Sequence, residues 1–401
     1  MTLRIRRAQH GCAWAGMGLL LAQLLSACAT SAPPPKVSQI SEFHVGADYQ
    51  GAVQRVAFDT GGDPWIATTR TLYRARGGAL EAIDSVMAQS RRLALASGGN
   101  LYAWLGQGEA PAGLFTIELV EMPKTPIAKL RLDEFPHGFA SVFFGGHGRL
   151  IVTISPLDDA EGLRGNFLYV FWSRDGRELS RVVLDKRLAP VVDVTGEAML
   201  LMGESDAIAF RNDGRRLWKV DGRFREAALG GKGAIALLNP ADRNAINEVR
   251  VYDNGRLTSA TLPGSVYELA LSADGSTGAV GIETGEVLLL APASCNTTTC
   301  KPPRKVNGLD ESSTYRVTSL RFVDAKTLAI GRIQREGSEP NVVYPAAEVV
   351  ATSIDSNQPL FRRVIPLEQP ATWAPTLDAT FGIRAFAAYT ARTTLVVSLE
   401  D

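Results

Sequence analysis

The chain has 401 residues, more than a single ordinary hydrophobic core holds, so we expect either two domains or one large repetitive domain. Lys plus Arg and Asp plus Glu both number 42. This balance argues against nucleic-acid binding, which would require a basic patch or stripe. The 38 glycines and 21 prolines are spread along the sequence, a composition typical of many short strands joined by turns.

The N-terminal segment predicts export. Arg4, Arg6 and Arg7 precede an apolar block at 12–25, and no acidic residue occurs before Cys28. The block is close to the ~7–15 residues of a secretory apolar region and shorter than the ~20 residues that span a bilayer. The segment therefore predicts a signal peptide rather than a membrane-spanning helix.

The tetrapeptide Leu-Ser-Ala-Cys at 25–28 resembles the lipobox of bacterial lipoproteins. In that family the signal is cleaved before the cysteine, which then carries diacylglycerol on its sulfur and a fatty acyl chain on its amine. The resemblance implies a signal peptide at 1–27, lipid attachment at Cys28 and a Pro-rich tether at 28–45. Ala29 stands where an aspartate would favour inner-membrane retention, so the resemblance implies the periplasmic face of the outer membrane. An ordinary cleavable signal with an incidental cysteine is the alternative.

Residues 267–290 read as three consecutive strands. Apolar and more polar side chains alternate over 267–271, the period of two that is typical of a half-buried strand. An Asp-Gly turn at 274–275 follows, and apolar runs at 279–282 and 287–290 predict two more strands. This meander resembles one blade of a WD40-type β-propeller, although it lacks the Trp-Asp dipeptide.

Related units recur along the chain. Residues 319–331 repeat the same outline, and residues 56–74 resemble the blades of periplasmic sensor propellers. Turns containing Gly176 and Gly214 resemble quinoprotein-like repeats, and the turn containing Gly255 matches them more loosely. These three glycines lie 38 and then 41 residues apart, close to the ~40–45 residues of a four-stranded blade.

The repeats predict an all-β protein in which residues 46–401 form a β-propeller of seven blades, and a count of eight also fits. Blades are expected to begin near Val53, Arg92, Ser141, Val191, Gly233, Val266 and Val317. A remaining pair of strands is predicted at 381–389 and 394–399, and the terminal strands are expected to share one blade. Such closure removes exposed sheet edges. A pair of β-sandwiches and a β-helix are the alternatives.

Two further cysteines, Cys295 and Cys300, flank four polar residues. In an oxidising compartment this spacing predicts a small disulfide-closed turn, with free thiols as the alternative. Zinc binding is disfavoured because no other cysteine and no nearby histidine could complete a ligand set. A loop this short should stabilise the fold by less than the ~3 kcal/mol of a 15-residue loop.

Motifs for catalysis or metal binding are weak, and we expect neither a cofactor nor a metal. The segment Gly-Glu-Ser-Asp-Ala at 203–207 resembles a degenerate nucleophile elbow, but it lies between two predicted strands and is expected to be a hairpin turn. His137 and His147 flank a predicted strand at 140–144, which places them at its opposite ends. The acidic loop at 158–162 lacks the alternating oxygen ligands of a calcium site.

Four loops exceed a simple hairpin and are candidates for recognition on a rigid frame: 157–166, 239–247, 295–313 and 335–345. The favoured function is a lipid-anchored, non-catalytic propeller that binds or scaffolds an envelope protein. One alternative is an exported propeller enzyme, a lyase, lactonase or glycan hydrolase, which would need acidic or histidine side chains with shifted pKa values at the axis. The other is a carbohydrate-binding module with exposed aromatic side chains; the candidates are Trp104, Trp172, Trp218 and Trp373.

Overall fold

The fold is described by a computed structural model over the following residues: 36–44, 52–59, 61–68, 70–85, 92–96, 101–107, 115–132, 141–145, 148, 150–157, 164–186, 190–193, 195–203, 205–295, 300–309, 314–337, 342–367, 376–379, 383–390 and 393–400. The signal and lipid-attachment predictions at 1–27 and Cys28 lie outside these residues. Within them the chain forms strands and short 3-10 turns and contains no α-helix. Accordingly, the described residues include no helix with the length and apolarity needed to cross a membrane.

The strands form eight four-stranded antiparallel sheets, each of which is one blade. The first four blades consist of β2 (Val53–Phe58), β3 (Pro64–Thr68), β4 (Thr71–Arg76) and β5 (Ala79–Ser85); β6 (Arg92–Leu95), β7 (Leu101–Gln107), β8 (Phe115–Glu121) and β9 (Thr125–Leu132); β10 (Ser141–Gly145), β11 (Leu150–Pro156), β12 (Arg164–Ser173) and β13 (Glu178–Lys186); and β14 (Val191–Val192), β15 (Ala198–Met202), β16 (Asp206–Arg211) and β17 (Arg216–Asp221).

The last four blades consist of β18 (Phe224–Gly230), β19 (Ile235–Pro240), β20 (Glu248–Asp253) and β21 (Arg256–Thr261); β22 (Val266–Leu271), β23 (Gly278–Ile282), β24 (Val287–Leu290) and β25 (Arg304–Lys305); β26 (Tyr315–Phe322), β27 (Thr327–Gln334), β28 (Ala346–Ser353) and β29 (Gln358–Pro366); and β30 (Thr376–Ala379), β31 (Ala385–Tyr389), β32 (Thr393–Glu400) and β1 (Lys36–His44). The 3-10 turns are Gly231–Gly233, Arg243–Ala245 and Pro292–Ser294.

The ring closes because the two ends of the described chain share blade 8. Strand β1 pairs antiparallel with β32, from Lys36 opposite Glu400 to His44 opposite Thr393. The sequence analysis placed this stretch in the tether, and the polarity of β1 explains why: along the strand only Phe43 is buried. The outer strand of a blade therefore carries little of the apolar alternation by which the other strands were recognised.

The structure has eight blades, the count that the spacing also allowed beside the preferred seven. The pair of strands left over in the sequence analysis corresponds to β31 and β32, which form a separate blade with β30 and β1. One predicted blade start was wrong. Gly233 ends a 3-10 turn between β18 and β19, and blade 5 begins at Phe224. The prediction of a blade start near Gly233 rested on the apolar run Ile235–Pro240, which is the second strand of that blade.

The periodic glycines occupy one recurring turn. Gly176, Gly214 and Gly255 have φ values of 81°, 79° and 90°, in the turns between the third and fourth strands of blades 3, 4 and 5. Residues with a side chain rarely adopt this left-handed conformation, so glycine is favoured there. The spacing of 38 and 41 residues seen in the sequence is thus the length of one blade.

The hydrophobic core lies between neighbouring blades rather than at one centre. For example, Val287 of blade 6 and Ile330 of blade 7 are fully buried in the same cluster, and Ala209 and Leu238 belong to a cluster shared by blades 4 and 5. The fourth strands are more exposed, as in β29. Face-to-face packing of the blades leaves the first strands to line the axis.

Candidate functional site: an axial cavity and an adjoining groove

A cavity of about 480 Å³ lies at the centre of the ring. It is lined by residues from the first strands of seven of the eight blades. Its charged lining residues are Arg55, Asp193, Glu226, Glu268, Arg321 and Asp378. The axis therefore carries convergent acidic side chains, a feature that the sequence analysis required of a propeller enzyme.

A recurring β-bulge accounts for several of these positions. The pairing of first and second strands shifts register immediately before Arg55, Glu226, Glu268 and Ser319. A bulge adds one residue to a strand and redirects a side chain. Three of these residues, Arg55, Glu226 and Glu268, line the axial cavity, while the neighbouring apolar residues stay buried between the blades.

The carboxyl groups of Glu226 and Glu268 interact across the junction of blades 5 and 6, and both residues line the axial cavity. Burial, and then the charge of Glu268, raises the pKa of Glu226 to about 8. Burial also raises the pKa of Glu268 to about 7, although the positive charge of Arg321 opposes the rise. Between about pH 7 and pH 8 the pair therefore holds about one proton in total, which belongs to the pair rather than to either carboxyl group.

Asp378 is the other carboxylate at the axis with a defined set of partners. The backbone N–H of Val56 and the hydroxyl of Tyr389 each donate to its Oδ2 at 3.0 Å. Arg55 Nη2 lies 3.8 Å from its Oδ1. Burial, followed by the charge of Asp378, raises the pKa of the Tyr389 hydroxyl, so this group remains a donor. Asp378 is thus balanced by Arg55.

Polar side chains of the first strands also join neighbouring blades. At three junctions a side-chain oxygen on one first strand accepts a hydrogen bond from the backbone N–H of the next: Glu226 Oε1 from Leu269 at 3.1 Å, Ser319 Oγ from Leu377 at 3.3 Å, and Asp378 Oδ2 from Val56 at 3.0 Å. These side chains therefore fix the geometry of the ring as well as line its axis.

A second cavity, also about 480 Å³, opens between blades 5 and 6. We call it the blade 5–6 groove; it is lined by Arg225, Glu226, Asn239, Ile246, Ser265, Val266 and Tyr267. Ile246 and Tyr267 are 40% and 39% exposed, and the guanidinium of Arg316 lies 5.6 Å from the centre of the Tyr267 ring. Glu226 belongs to the lining of both cavities.

Asn239 gives the groove a hydrogen-bond acceptor without a donor. It is 1% exposed and lies opposite Glu226 in the pairing of β18 with β19. Its Nδ2 donates to the carbonyl of Val266 at 3.4 Å, which fixes the orientation of the amide. Its Oδ1 has no hydrogen-bond partner among the described residues. A buried acceptor that lacks a donor lowers the stability of the fold by about 1–3 kcal/mol.

The cysteines, the segment 203–207 and the histidines singled out from the sequence are absent from the linings of both cavities or lie outside the described chain. Cys295 and Cys300 form the predicted disulfide, with an S–S distance of 2.05 Å, in the connection between β24 and β25. Around the segment 203–207 the strands β15 and β16 pair antiparallel, and the N–H of Gly203 donates to the carbonyl of Asp206 at 2.8 Å, as expected for a hairpin. His137 and His147 lie outside the described residues.

The three candidate tryptophans that the structure describes are buried and form no exposed binding platform. Trp104, Trp172 and Trp218 are all less than 10% exposed. Their indole N–H groups donate to Asp84 Oδ2 at 2.9 Å, Thr153 Oγ1 at 2.9 Å and the carbonyl of Gly233 at 2.6 Å, respectively. Trp373 lies outside the described residues. The carbohydrate-binding alternative therefore loses three of its four candidate side chains.

Sequence reasoning missed Glu226 and Glu268 as site residues. The repeats do carry a sequence signal for these positions. The four bulges fall in the tripeptides Val-Gln-Arg, Phe-Arg-Glu, Val-Tyr-Glu and Val-Thr-Ser, and the last residue of each tripeptide is polar. Aligning the blade starts would have brought Arg55, Glu226 and Glu268 into one column. The loop 239–247, in contrast, is one of the four predicted recognition loops, and it supplies both Asn239 and Ile246 to the groove.

In its fold the protein is a WD40-like β-propeller. It is similar to the C-terminal WD40 domain of Sif2, with a TM-score of 0.56 and 12% identity over 91% of this chain and 99% of that domain. It is also similar to Sqt1 of Saccharomyces cerevisiae, with a TM-score of 0.54 and 13% identity over 91% of this chain and 99% of that one. At these identities the likeness shows the fold alone. No protein-family model and no curated protein matches the chain.

Proposed function

We propose that this protein is a lipid-anchored binding module of the cell envelope, whose propeller recognises a protein partner through the blade 5–6 groove. The observation that carries the proposal is the pair of exposed apolar side chains, Ile246 and Tyr267, that border a groove of about 480 Å³. Exposed apolar groups beside a pocket lose water when a partner covers them, which favours association. The groove is built on paired strands, so little ordering is needed on binding.

The proposed anchor lies close to the propeller in the sequence. Cys28 precedes Lys36, the first residue of β1, by eight residues. A Pro-rich connection reaches about 3.1 Å per residue, so the lipid would hold the propeller within about 25 Å of the membrane. Burial of each lipid methylene contributes ~0.8 kcal/mol, and more than one acyl chain gives stable anchoring. Because β1 is the outer strand of blade 8, that blade would face the tether.

The proposed location is the periplasmic face of the outer membrane. Two features support it. The lipobox-like segment ends in Cys28-Ala29, which lacks the aspartate associated with inner-membrane retention. The disulfide between Cys295 and Cys300 is the kind of bond that persists in an oxidising compartment.

Crosslinking and affinity purification from envelopes test the proposal. We expect the wild-type protein to recover one stoichiometric protein partner, and the double variant Ile246→Ser/Tyr267→Ser to lose it. The matched control, Val183→Ser/Leu257→Ser, changes side chains that are 52% and 42% exposed on outer strands and should retain the partner. Recovery of no stoichiometric partner, or equal loss in both double variants, would contradict the proposed surface.

Lipid anchoring and the location in the envelope are tested separately, by palmitate labelling and fractionation. The wild-type protein should incorporate labelled palmitate and sediment with the envelope, whereas Cys28→Ala should do neither. A wild-type protein that takes up no label and washes freely from vesicles would contradict lipid anchoring while leaving the groove proposal standing.

A second candidate function is an enzyme acting in the axial cavity. The Glu226–Glu268 pair favours it, since carboxyl groups with raised pKa values are typical of acid–base sites. A lactone panel, with a glycan panel beside it, tests the candidate. Turnover that Glu268→Gln abolishes would establish the enzyme in place of the binding module.

A further inference from the structure

The charges at the axis leave one carboxyl group in excess. Asp378 is balanced by Arg55 at 3.8 Å. Asp193 is held within its own turn, where the Thr195 hydroxyl and the Glu197 N–H donate to it.

That leaves two carboxyl groups, Glu226 and Glu268, beside one guanidinium, that of Arg321. One guanidinium balances one carboxylate, so a second positive charge is needed. At neutral pH the shared proton supplies it.

One member of this carboxyl pair also lines the groove. Glu226 lines the blade 5–6 groove as well as the axial cavity. Asn239, opposite Glu226 in the strand pairing, adds a buried acceptor oxygen that lacks a donor. Two residues with acceptor groups thus occupy directly opposed positions of β18 and β19 in the lining of the groove, and a cation with several N–H donors would satisfy both.

The walls of the groove favour an organic cation over a metal ion. Ile246 and Tyr267 supply apolar surface at its mouth, and the ring of Tyr267 already contacts the cationic Arg316. Across the part of the chain that the structure describes, no three His, Cys, Asp or Glu residues cluster closely enough to hold a metal. A lysine side chain combines an ammonium group, which has three donors, with a four-carbon apolar stem.

We propose that the blade 5–6 groove accepts a lysine side chain of the protein partner, whose ammonium group takes the place of the proton shared by Glu226 and Glu268 and donates to Asn239 Oδ1. The inference rests on the proposed function, because it names the chemistry of the group that the partner inserts. The balance is simple: the ammonium ion enters, one proton leaves to solvent, and the charge of the site is unchanged.

Binding should therefore release protons in a pH-dependent way. Besides the pair, the charged groups that face this region are Arg225 at the groove, and Arg55, Arg321, Asp193 and Asp378 at the axis. Burial raises the pKa of Asp193, but its carboxyl is bonded within its own turn, so the release should require the pair.

Isothermal titration with N-acetyl-lysine methylamide measures this directly. Run at pH 7.5 in two buffers with different ionisation enthalpies, it should show about one proton released per ligand bound. The release should fall toward zero at pH 9, and the affinity should rise by about tenfold between pH 7 and pH 8, as expected when a ligand replaces one proton. The wild-type protein alone gives this readout, so it needs no variant to fold.

One matched probe, one metal salt and one variant serve as controls. N-acetyl-norleucine methylamide has an apolar side chain without the amine and should bind at least tenfold more weakly. Glu268→Gln, with its fold checked by circular dichroism, should lose the proton release. Equal binding of the norleucine probe, binding of the lysine probe without proton release, or the same release on adding calcium chloride would overturn the proposal.

The outcomes separate this inference from the proposed function. A partner that depends on Ile246 and Tyr267, together with no proton-linked lysine binding, would refute the inference alone. Proton-linked lysine binding without a stoichiometric envelope partner would refute the protein-binding function alone.

Discussion

Replacing Glu348 with alanine should destabilise blade 7 strongly. The side chains of Glu348 and Arg332 are both 0% exposed. Arg332 Nε donates to Glu348 Oε2 at 2.7 Å, and Arg362 Nε donates to Oε1 at 2.6 Å. Arg332 also donates from Nη1 to the carbonyl of Gly285 in blade 6 at 3.1 Å. One carboxylate therefore holds two guanidinium groups, and one of these ties blade 7 to blade 6.

The size of the effect follows from what remains after the substitution. Glu348→Ala leaves the buried charge of Arg332 without its carboxylate, and breaking a buried pair in this way costs about 3–5 kcal/mol. Asp355→Ala in the same blade is the matched control. Asp355 pairs with Lys326 at 2.8 Å, but both side chains are more than half exposed, so its loss should cost about 0–1 kcal/mol.

Urea denaturation followed by tryptophan fluorescence measures both free energies of unfolding. A third variant tests the cause: Arg332→Met/Glu348→Leu replaces the buried pair by apolar side chains and should be less destabilised than Glu348→Ala. If the free energy of unfolding of Glu348→Ala lies within about 1 kcal/mol of the wild-type value, the buried pair does not stabilise the ring as argued. If the double variant is as unstable as the single one, the loss comes from packing rather than from an unpaired charge.

Three further predictions concern the turn, the disulfide and the carboxyl pair. Gly214→Ala should destabilise the fold by about 1–3 kcal/mol more than Gly255→Ala. Both glycines have positive φ, but the added Cβ collides with Ser180 only at position 214; equal losses in urea unfolding would contradict this. Cys295→Ser/Cys300→Ser should lower the free energy of unfolding by less than ~3 kcal/mol, and thiol labelling of the unreduced protein at either cysteine would contradict the disulfide. The wild-type free energy of unfolding should fall between about pH 5 and pH 8, because the native carboxyl pair, with pKa values of about 7 and 8, retains protons that an unfolded chain has released. Glu268→Gln should flatten that fall, and an unchanged pH profile in this variant would contradict the shared proton.

The fold could be predicted from the sequence wherever a strand alternates and a turn demands glycine. Gly176, Gly214 and Gly255 marked successive blades because their positive φ values admit few other residues. The prediction was less complete where strands are polar. Strand β1 reads as a linker since only Phe43 is buried along it, and blade 5 was assigned to start at its second strand because Ile235–Pro240 is the more apolar run.

The site was predicted only in part, for a different physical reason. The loop 239–247 stood out by its length alone and does border the groove. Glu226 and Glu268, however, are 42 residues apart in sequence and meet only because two bulges direct them to the same junction of blades. A local pattern reports which face a side chain occupies, but it does not report which distant side chain it meets there.

The central claim, that the blade 5–6 groove is the recognition surface, is tested most directly by site-specific photocrosslinking in envelopes. A photoreactive benzoylphenylalanine at position 267 should give one crosslinked adduct of defined mass in the wild-type background. The same amino acid at position 183, on the outer strand of blade 3, should not give that adduct. No adduct from position 267, or an identical adduct from position 183, would contradict the account.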